Sequence, residues 1–251
     1  MVATGHPWNT LMVPAACTDT LADMDAAHDR WTDPAYRSGV IDLLGALAYG
    51  ELSAFLRLAS DAELAPTLSA KTQLSRLAVL EFEHFELLTG RLSELDQQAD
   101  DAMAPFVVAI DEFHARTTPS TWYEGLVKYV VGDGIASDFY REISAHLDDG
   151  TRKLVLSALD SSGKSEFAVG EVRGAIAGDS VLASRLALWG RRLVGEALTQ
   201  GQRVAADRDA LSVLVMGSDQ SPGMGLVGIV EMFGRITERH TQRMTQLGLS
   251  A

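Results

Sequence analysis

The sequence has little cysteine, few basic residues and no recognisable targeting segment. Cys17 is the only cysteine among 251 residues. A single cysteine excludes an intramolecular disulfide and a cysteine-rich metal site, and it favours a reduced compartment. The first eight residues lack the basic start and continuous apolar run of a signal peptide. No stretch is both apolar and free of charge over the length that a bilayer requires. We therefore expect a cytoplasmic protein with no membrane partner.

Basic residues are scarce. Lysine and arginine total 21, against 34 aspartate and glutamate residues, and the net charge is −13. A chain of this charge has no overall attraction to nucleic acid or to an anionic membrane. Arginines near the C-terminus, including Arg191 and Arg192, are too widely spaced to count as a basic surface. Arginine far outnumbers lysine and alanine is abundant, which is typical of a GC-rich bacterial genome.

Hydrophobic residues are abundant, at 47% of the chain, and they recur with helical spacing. The pattern predicts an all-α protein with four bundle helices, a long crossover between the second and the third, and two accessory helices. The predicted ranges are 38–60, 69–96, 121–147 and 151–176 for the bundle, and 179–209 and 226–247 for the accessory helices. Residues 1–36 are predicted to form an N-terminal arm and 37–251 one helical domain. The accessory helices either pad the bundle or form a homodimer face.

The second predicted helix carries a Glu-x-x-His pair at Glu81 and His84. Residues three apart on an α-helix lie on the same face, so this pair presents a carboxylate and an imidazole side by side. Both lie on an apolar stripe of Leu74, Leu77 and Leu88. A buried charge needs a partner, and these two side chains are the kind that hold one metal ion. The alternative is that both are hydrogen-bonded polar groups in a structural network that binds no metal.

The first and third predicted helices each place one carboxylate on their inward stripe. Glu51 lies at the centre of the first stripe, about thirty residues before Glu81. Asp133 occupies the corresponding place in the second half, where Gly132-Asp133 repeats the pattern of Gly50-Glu51. The sequence therefore predicts that Glu51, Glu81, His84 and Asp133 face one another inside the bundle.

The fourth predicted helix has carboxylates but no histidine. Glu166 is predicted to lie on its inward stripe, and Asp160 borders that stripe one turn earlier. No histidine occurs between His146 and His240. Lys164 lies near the place where a histidine is expected, and its ammonium would oppose metal binding unless its pKa were strongly lowered.

These motifs resemble those of the ferritin-like superfamily, whose four-helix bundles hold two metal ions between carboxylates and histidines. Within it the arrangement is similar to bacterial proteins related to the tRNA hydroxylase that oxidises isopentenyl-adenosine. The resemblance covers residues 38 to 176. It implies Glu81 as a bridging ligand, Glu51 and His84 on a first iron, and Asp133 and Glu166 on a second, with Asp160 as a further candidate.

The resemblance implies a non-haem di-iron oxygenase that hydroxylates a small-molecule or nucleoside-like substrate with the help of an electron-transfer partner. It implies two irons per chain, with manganese or a single metal ion as alternatives. A tRNA substrate follows from the resemblance but is disfavoured by the acidity of the chain. The alternative function is a non-catalytic ferritin-like protein with a degenerate metal site, serving as a binding or assembly module.

Two other histidine-containing motifs are given non-metal interpretations. The segment Asp111-Glu112-Phe113-His114 is predicted to be a solvated loop. His240, in Glu238-Arg239-His240, is predicted to lie at the exposed end of a helix, where a histidine complements the helix dipole.

Overall fold

The structure, a computed structural model, describes residues 30–159, 165–217 and 223–251. Over these ranges it is helical and contains no β-strand. The helices are α1 (Pro34–Asp61), α2 (Leu68–Glu94), α3 (Ala99–Met103), α4 (Val107–Arg116), α5 (Trp122–Lys128), α6 (Gly134–Ser144), α7 (Asp149–Ala158), α8 (Glu166–Ile176), α9 (Ser180–Asp207), α10 (Asp209–Met216) and α11 (Gly225–Gln246). The predicted all-α fold is confirmed. Most of the predicted N-terminal arm and the candidate ligand Asp160 lie outside the described residues.

The two longest predicted bundle helices form as expected and pack extensively on each other. Each begins with a side-chain cap, because Asp33 accepts a hydrogen bond from the Ala35 N–H and Thr67 from the Ala70 N–H. Such caps satisfy amide groups that the first helical turn leaves free. Gly45 lets α3 approach α1, since a Cβ there would lie 2.1 Å from the Ala102 carbonyl oxygen. The pair α1–α2 is therefore the centre of the bundle.

The apolar character of α1 is that of a core helix. The segment Pro34–Leu64 is long and apolar enough to span a membrane by length and composition alone. It contains charged residues such as Asp42 and Glu51, so it is not the charge-free stretch whose absence the sequence predicted. Of the most apolar 18-residue stretch of this segment, 56% is buried inside the protein. Helix α1 packs against α2, α3 and α10, and this position accounts for its hydrophobicity.

The third bundle helix is interrupted at its middle. Helix α5 leads into a π-helical segment, Tyr129–Asp133, and α6 continues from Gly134. A π-helical turn holds an extra residue, and such turns occur frequently at functional sites.

The fourth bundle helix is also not continuous. The predicted range 151–176 contains two helices, α7 and α8, with residues 160–164 between them outside the described ranges. Helix α7 packs against α2 and α6, whereas α8 packs against α5 and α9. The two helices therefore have different neighbours.

Helices α9, α10 and α11 surround the bundle. Helix α9 packs along α4, α5 and the π-helical segment, α10 packs against α1, and α11 packs against α6. Helix α10 buries Leu211 and Leu214 in the same apolar cluster as Leu43 and Leu47 of α1. The accessory helices thus pad the bundle, as one of the two predictions had it.

The two other histidine-containing motifs do not have the surroundings that the sequence predicted, although Asp111 is exposed. Residues 111–114 belong to α4 rather than to a loop, and the Nδ1 atom of His114 is buried. His240 is only 7% exposed, because α11 lies against α6. Its neighbour Arg239 forms ion pairs with Asp138 and Glu142 of α6, which draw this face of α11 inward. The loop prediction for residues 111–114 was wrong because they belong to a helix. The exposed position predicted for His240 was wrong because packing of α11 on α6 covers it.

Candidate metal centre

Glu51, Glu81 and His84 meet between α1 and α2. One ligand atom from each lies within 4.8 Å of the other two. The His84 Nδ1 atom is 3.4 Å from Glu51 Oε2 and 3.4 Å from Glu81 Oε2. The prediction that these three side chains face one another is confirmed by this geometry.

The regularity of the two helices produces this cluster. On α2, Leu74, Leu77 and Leu88 are buried above and below Glu81, as a period of 3.6 residues requires. On α1, Leu47 and Leu58 flank Glu51 in the same way. Both helices therefore fix the height and direction of their polar side chains through apolar packing.

The two carboxylates lie in an apolar environment. Glu81 is 3% exposed and Glu51 is 8% exposed. Burial raises the pKa of Glu51 well above its usual range, and the nearby carboxylates of Glu81 and Asp133 raise it further, while the hydrogen bond with His84 acts in the opposite direction. Removal from water and repulsion between like charges both disfavour ionisation. A bound cation would reverse both effects, since it compensates the carboxylate charges directly.

Asp133, on the third bundle helix, acts electrostatically on this cluster. It is the last residue of the π-helical segment and is half-buried. Its charge acts on Glu51 and also on Tyr129, where burial is the main cause of a raised pKa. This charge effect is the described link between Asp133 and the cluster, and the assignment of Asp133 as a ligand stays a prediction. Asp133 is not among the three side chains whose ligand atoms converge.

Glu166 does not take the place predicted for it. It is the first residue of α8 and is exposed. The inward residues of α8 are Ala168 and Val172 instead. The predicted inward stripe assumed one continuous helix from α7 into α8, and separate helices do not keep the same phase. The structure therefore brings Glu51, Glu81, His84 and Asp133 to one region and leaves Glu166 outside it.

Two tyrosines that the sequence interpretation did not assign to the site lie near it. Burial raises the pKa of both Tyr129 and Tyr140, and the Glu51 carboxylate raises each further. The spacing of seven residues between Asp133 and Tyr140 is the sequence signal that these two residues belong to one helical face.

The donor set fits a metal ion. Two carboxylates and one imidazole are ligands that suit iron, manganese or zinc, and their convergence in an apolar interior is expensive without a cation. Among the described residues, this is the one group of at least three such side chains whose ligand atoms converge. Glu51, Glu81 and His84 would hold the metal ion.

An all-helical bundle with a glutamate on one long helix and Glu-x-x-His on the next is the arrangement of the ferritin-like class. Residues 34–218 match the family described as the ferritin-like domain of actinomycetes. The match spans most of the chain, and the protein belongs to this family. No curated protein matches the chain at a significant level.

A solved structure agrees with this assignment. The chain is similar to a protein from Synechococcus described as protein 19 with aldehyde deformylating oxidase activity. The TM-score is 0.66, with 20% identity over 87% of this chain and 94% of that chain. At this identity the likeness establishes the fold alone.

Proposed function

We propose that this protein is a non-haem iron oxygenase of the hydroxylase type, acting in the cytoplasm on a small organic substrate. The observation that carries the proposal is the convergence of Glu51, Glu81 and His84 within 4.8 Å in a buried part of the bundle. An iron centre held by these residues would supply oxygen activation.

The residues around the cluster suit that chemistry. Phe82 and Phe85 flank Glu81 and His84 on α2, with their ring centroids 5.4 Å apart. Phe55, one turn after Glu51, lies 5.1 Å from Phe82 between centroids. An aromatic layer beside the site would exclude water from it, which would strengthen electrostatic interactions there. It also favours an apolar reacting group over a strongly hydrated one.

Glu51 and the two nearby tyrosines, Tyr129 and Tyr140, all have raised pKa values and therefore hold their protons to higher pH than usual. The raised pKa of Glu51 means that its carboxyl holds a proton above the usual range when no metal is bound. Metal binding must therefore release protons from the site, since ligating carboxylates are ionised. The two tyrosines beside Glu51 stay protonated as phenols, because their pKa values are raised.

The proposal is tested first by the metal content of untagged protein purified without chelators, measured by elemental analysis. An anaerobic titration with ferrous iron, followed by measured oxygen uptake, then shows whether bound iron reacts. Iron bound at about one to two ions per chain, with oxygen uptake in proportion to it, is the expected result. No iron binding, and a fold unaffected by chelator, would contradict the proposal.

The alternative is a non-catalytic ferritin-like protein that uses its site for binding or assembly. The exposed position of Glu166 favours this alternative, because the fourth bundle helix then contributes no described ligand. Iron that binds but does not consume oxygen under any reductant would select it.

A further inference from the structure

Arg243 reaches from α11 to the end of the π-helical segment, against which α11 packs. Its Nη2 atom donates a hydrogen bond of 3.0 Å to the Gly134 carbonyl oxygen and a second hydrogen bond to the Asp138 carboxylate. The Arg243 side chain is only 13% exposed. Gly134 directly follows Asp133, the last residue of the π-helical segment. Arg243 therefore contacts the backbone one residue away from the candidate ligand Asp133.

The Arg243 guanidinium occupies the space that a side chain at position 134 would take. A Cβ on Gly134 would lie 2.2 Å from the Arg243 Nε atom and 2.5 Å from its Cζ atom. Gly134 has ordinary helical backbone angles, with φ −62° and ψ −36°, so its conformation is open to any residue. The feature that depends on a glycine here is the close approach of the guanidinium to the helix backbone.

The end of α11 that carries Arg243 is firmly packed on the bundle. Met244 and Leu247 are fully buried. The Met244 Cε atom lies so close to α9 that a Cβ on Gly190 would be 2.7 Å from it. Leu226, near the start of the same helix, is 72% exposed. The C-terminal half of α11 is therefore the half that can hold another element in place.

The other arginines of this face of α11 pair with α6 farther from Asp133. Arg235 and Arg239 form ion pairs with Glu142, at 2.7 Å and 2.9 Å. Arg239 also approaches the Asp138 carboxylate, at 3.7 Å. Among the described hydrogen bonds of these three arginines, the bond from Arg243 is the one that reaches the backbone beside the π-helical segment.

We propose that Arg243 is a positioning residue, which fixes the end of the π-helical segment and thereby places the Asp133 carboxylate at the metal cluster. A guanidinium suits this role, because its planar fork donates to a carbonyl oxygen and a carboxylate in a fixed geometry that a lysine ammonium does not impose. Most helical stability in proteins comes from tertiary packing, so a short π-helical turn depends on such contacts. The Asp133 carboxylate in turn acts on Glu51 of the cluster.

The inference rests on the proposed function, because it gives Asp133 a part in metal binding. Helix α11 begins at Gly225, after the end of the range 34–218 that matches the family. A helix outside the matched range would thus set the geometry of a residue at the candidate metal centre.

The test compares variants of the full-length protein by hydrogen–deuterium exchange and by anaerobic calorimetric titration with ferrous iron. The double variant Arg243→Met/Asp138→Asn removes the bond to Gly134 without leaving a buried carboxylate unpaired. Asp138→Asn alone keeps the bond to Gly134 and controls for the loss of the ion pair. Arg235→Met, which removes an arginine of the same helix that pairs with Glu142, is the second control.

We expect amide hydrogens of residues 129–138 to exchange about tenfold faster in the double variant, since a hydrogen bond from a charged group contributes at least that factor. Iron affinity should fall by about tenfold, the low end of the effect of residues that orient a metal ligand. Both controls should match the wild type. Gly134→Ala, whose added Cβ would displace the guanidinium, should change both measurements in the same direction as the double variant.

Asp133→Ala supplies a measurement that a merely structural role of Arg243 would not change. If Arg243 acts through Asp133, combining Asp133→Ala with the double variant should lower iron affinity no further than Asp133→Ala does alone, because coupled residues are not additive. Additive losses, an equal loss in Arg235→Met, or wild-type iron affinity in Asp133→Ala would overturn the inference.

The wild type separates this result from the proposed function. Iron bound by the wild type and equally by the double variant overturns the inference and leaves the oxygenase in place. A wild type that takes no iron contradicts the proposed function and the inference together, whatever the exchange rates show.

Discussion

The two helix pairs of the bundle differ in where they place the carboxylates that the sequence predicts to be buried. Helices α1 and α2 are continuous over 28 and 27 residues, and they bring Glu51, Glu81 and His84 together. The second pair is broken, by a π-helical segment in one helix and by the separation of α7 from α8 in the other. In this pair Asp133 is half-buried and Glu166 is exposed. A metal site therefore depends on helical regularity as much as on residue type.

The largest expected effect follows from removing a ligand of the first pair. Glu51→Ala should lower the affinity for ferrous iron by more than about a hundredfold, because even residues that only orient a ligand account for 10- to 100-fold. The helices should stay folded, since an apolar stripe surrounds the position. Anaerobic iron titration with circular dichroism measures both effects.

Glu83→Ala is the matched control for that experiment, because Glu83 lies on α2 between Glu81 and His84 but is exposed. It should bind iron as the wild type does. Unchanged iron binding in Glu51→Ala would show that Glu51 is not a metal ligand. The first helix pair would then no longer be distinguished from the second by its ligands.

A smaller effect is expected from the second pair. Asp133→Ala should leave the first iron in place and weaken the second, by about tenfold, because Asp133 acts on the cluster without joining the three convergent ligands. In the wild type we likewise expect the second iron to bind more weakly than the first. Two irons of equal, tight affinity would show that the second pair is as complete as the first.

The sequence predicted the positions of site residues correctly only where a helix is continuous. Glu51, Glu81 and His84 could be placed because α1 and α2 keep one phase from end to end, so that spacing alone specifies the face. Asp133 ends a π-helical turn that the sequence did not predict, and the glycines on either side of it are the only signal of that turn. Glu166 was misplaced because a helical phase cannot be extended across a break.

The pH dependence of stability sharpens the comparison further. The folded pKa of Glu51 is raised above its ordinary value near 4.5, so the folded protein holds a proton that the unfolded chain releases. The stability of the metal-free protein should therefore fall as pH rises from about 4.5 through the folded pKa. For one proton the slope is at most about 1.4 kcal/mol per pH unit.

Glu51→Gln keeps the shape and removes this titration. Its metal-free form should show a flatter stability profile than the wild type, and it should be the more stable of the two at pH 8. Urea unfolding between pH 5 and pH 8 measures this, with Glu83→Gln as the control on the same bundle. Parallel profiles for the wild type and Glu51→Gln would show that Glu51 ionises freely.

The smallest effect is expected at Glu166, and it is the sharpest test of the broken fourth helix. Its carboxylate is exposed at the start of α8, so Glu166→Ala should change iron affinity by less than about twofold, the range expected of a surface substitution. Calorimetric iron titration beside Asp133→Ala makes the comparison within one helix pair. A loss at Glu166 as large as that at Asp133 would mean that α8 turns toward the metal when iron binds. The second helix pair would then supply its metal ligands only in the iron-bound protein. The two pairs would differ in whether their ligands are in place before iron binds, and not in which ligands they carry.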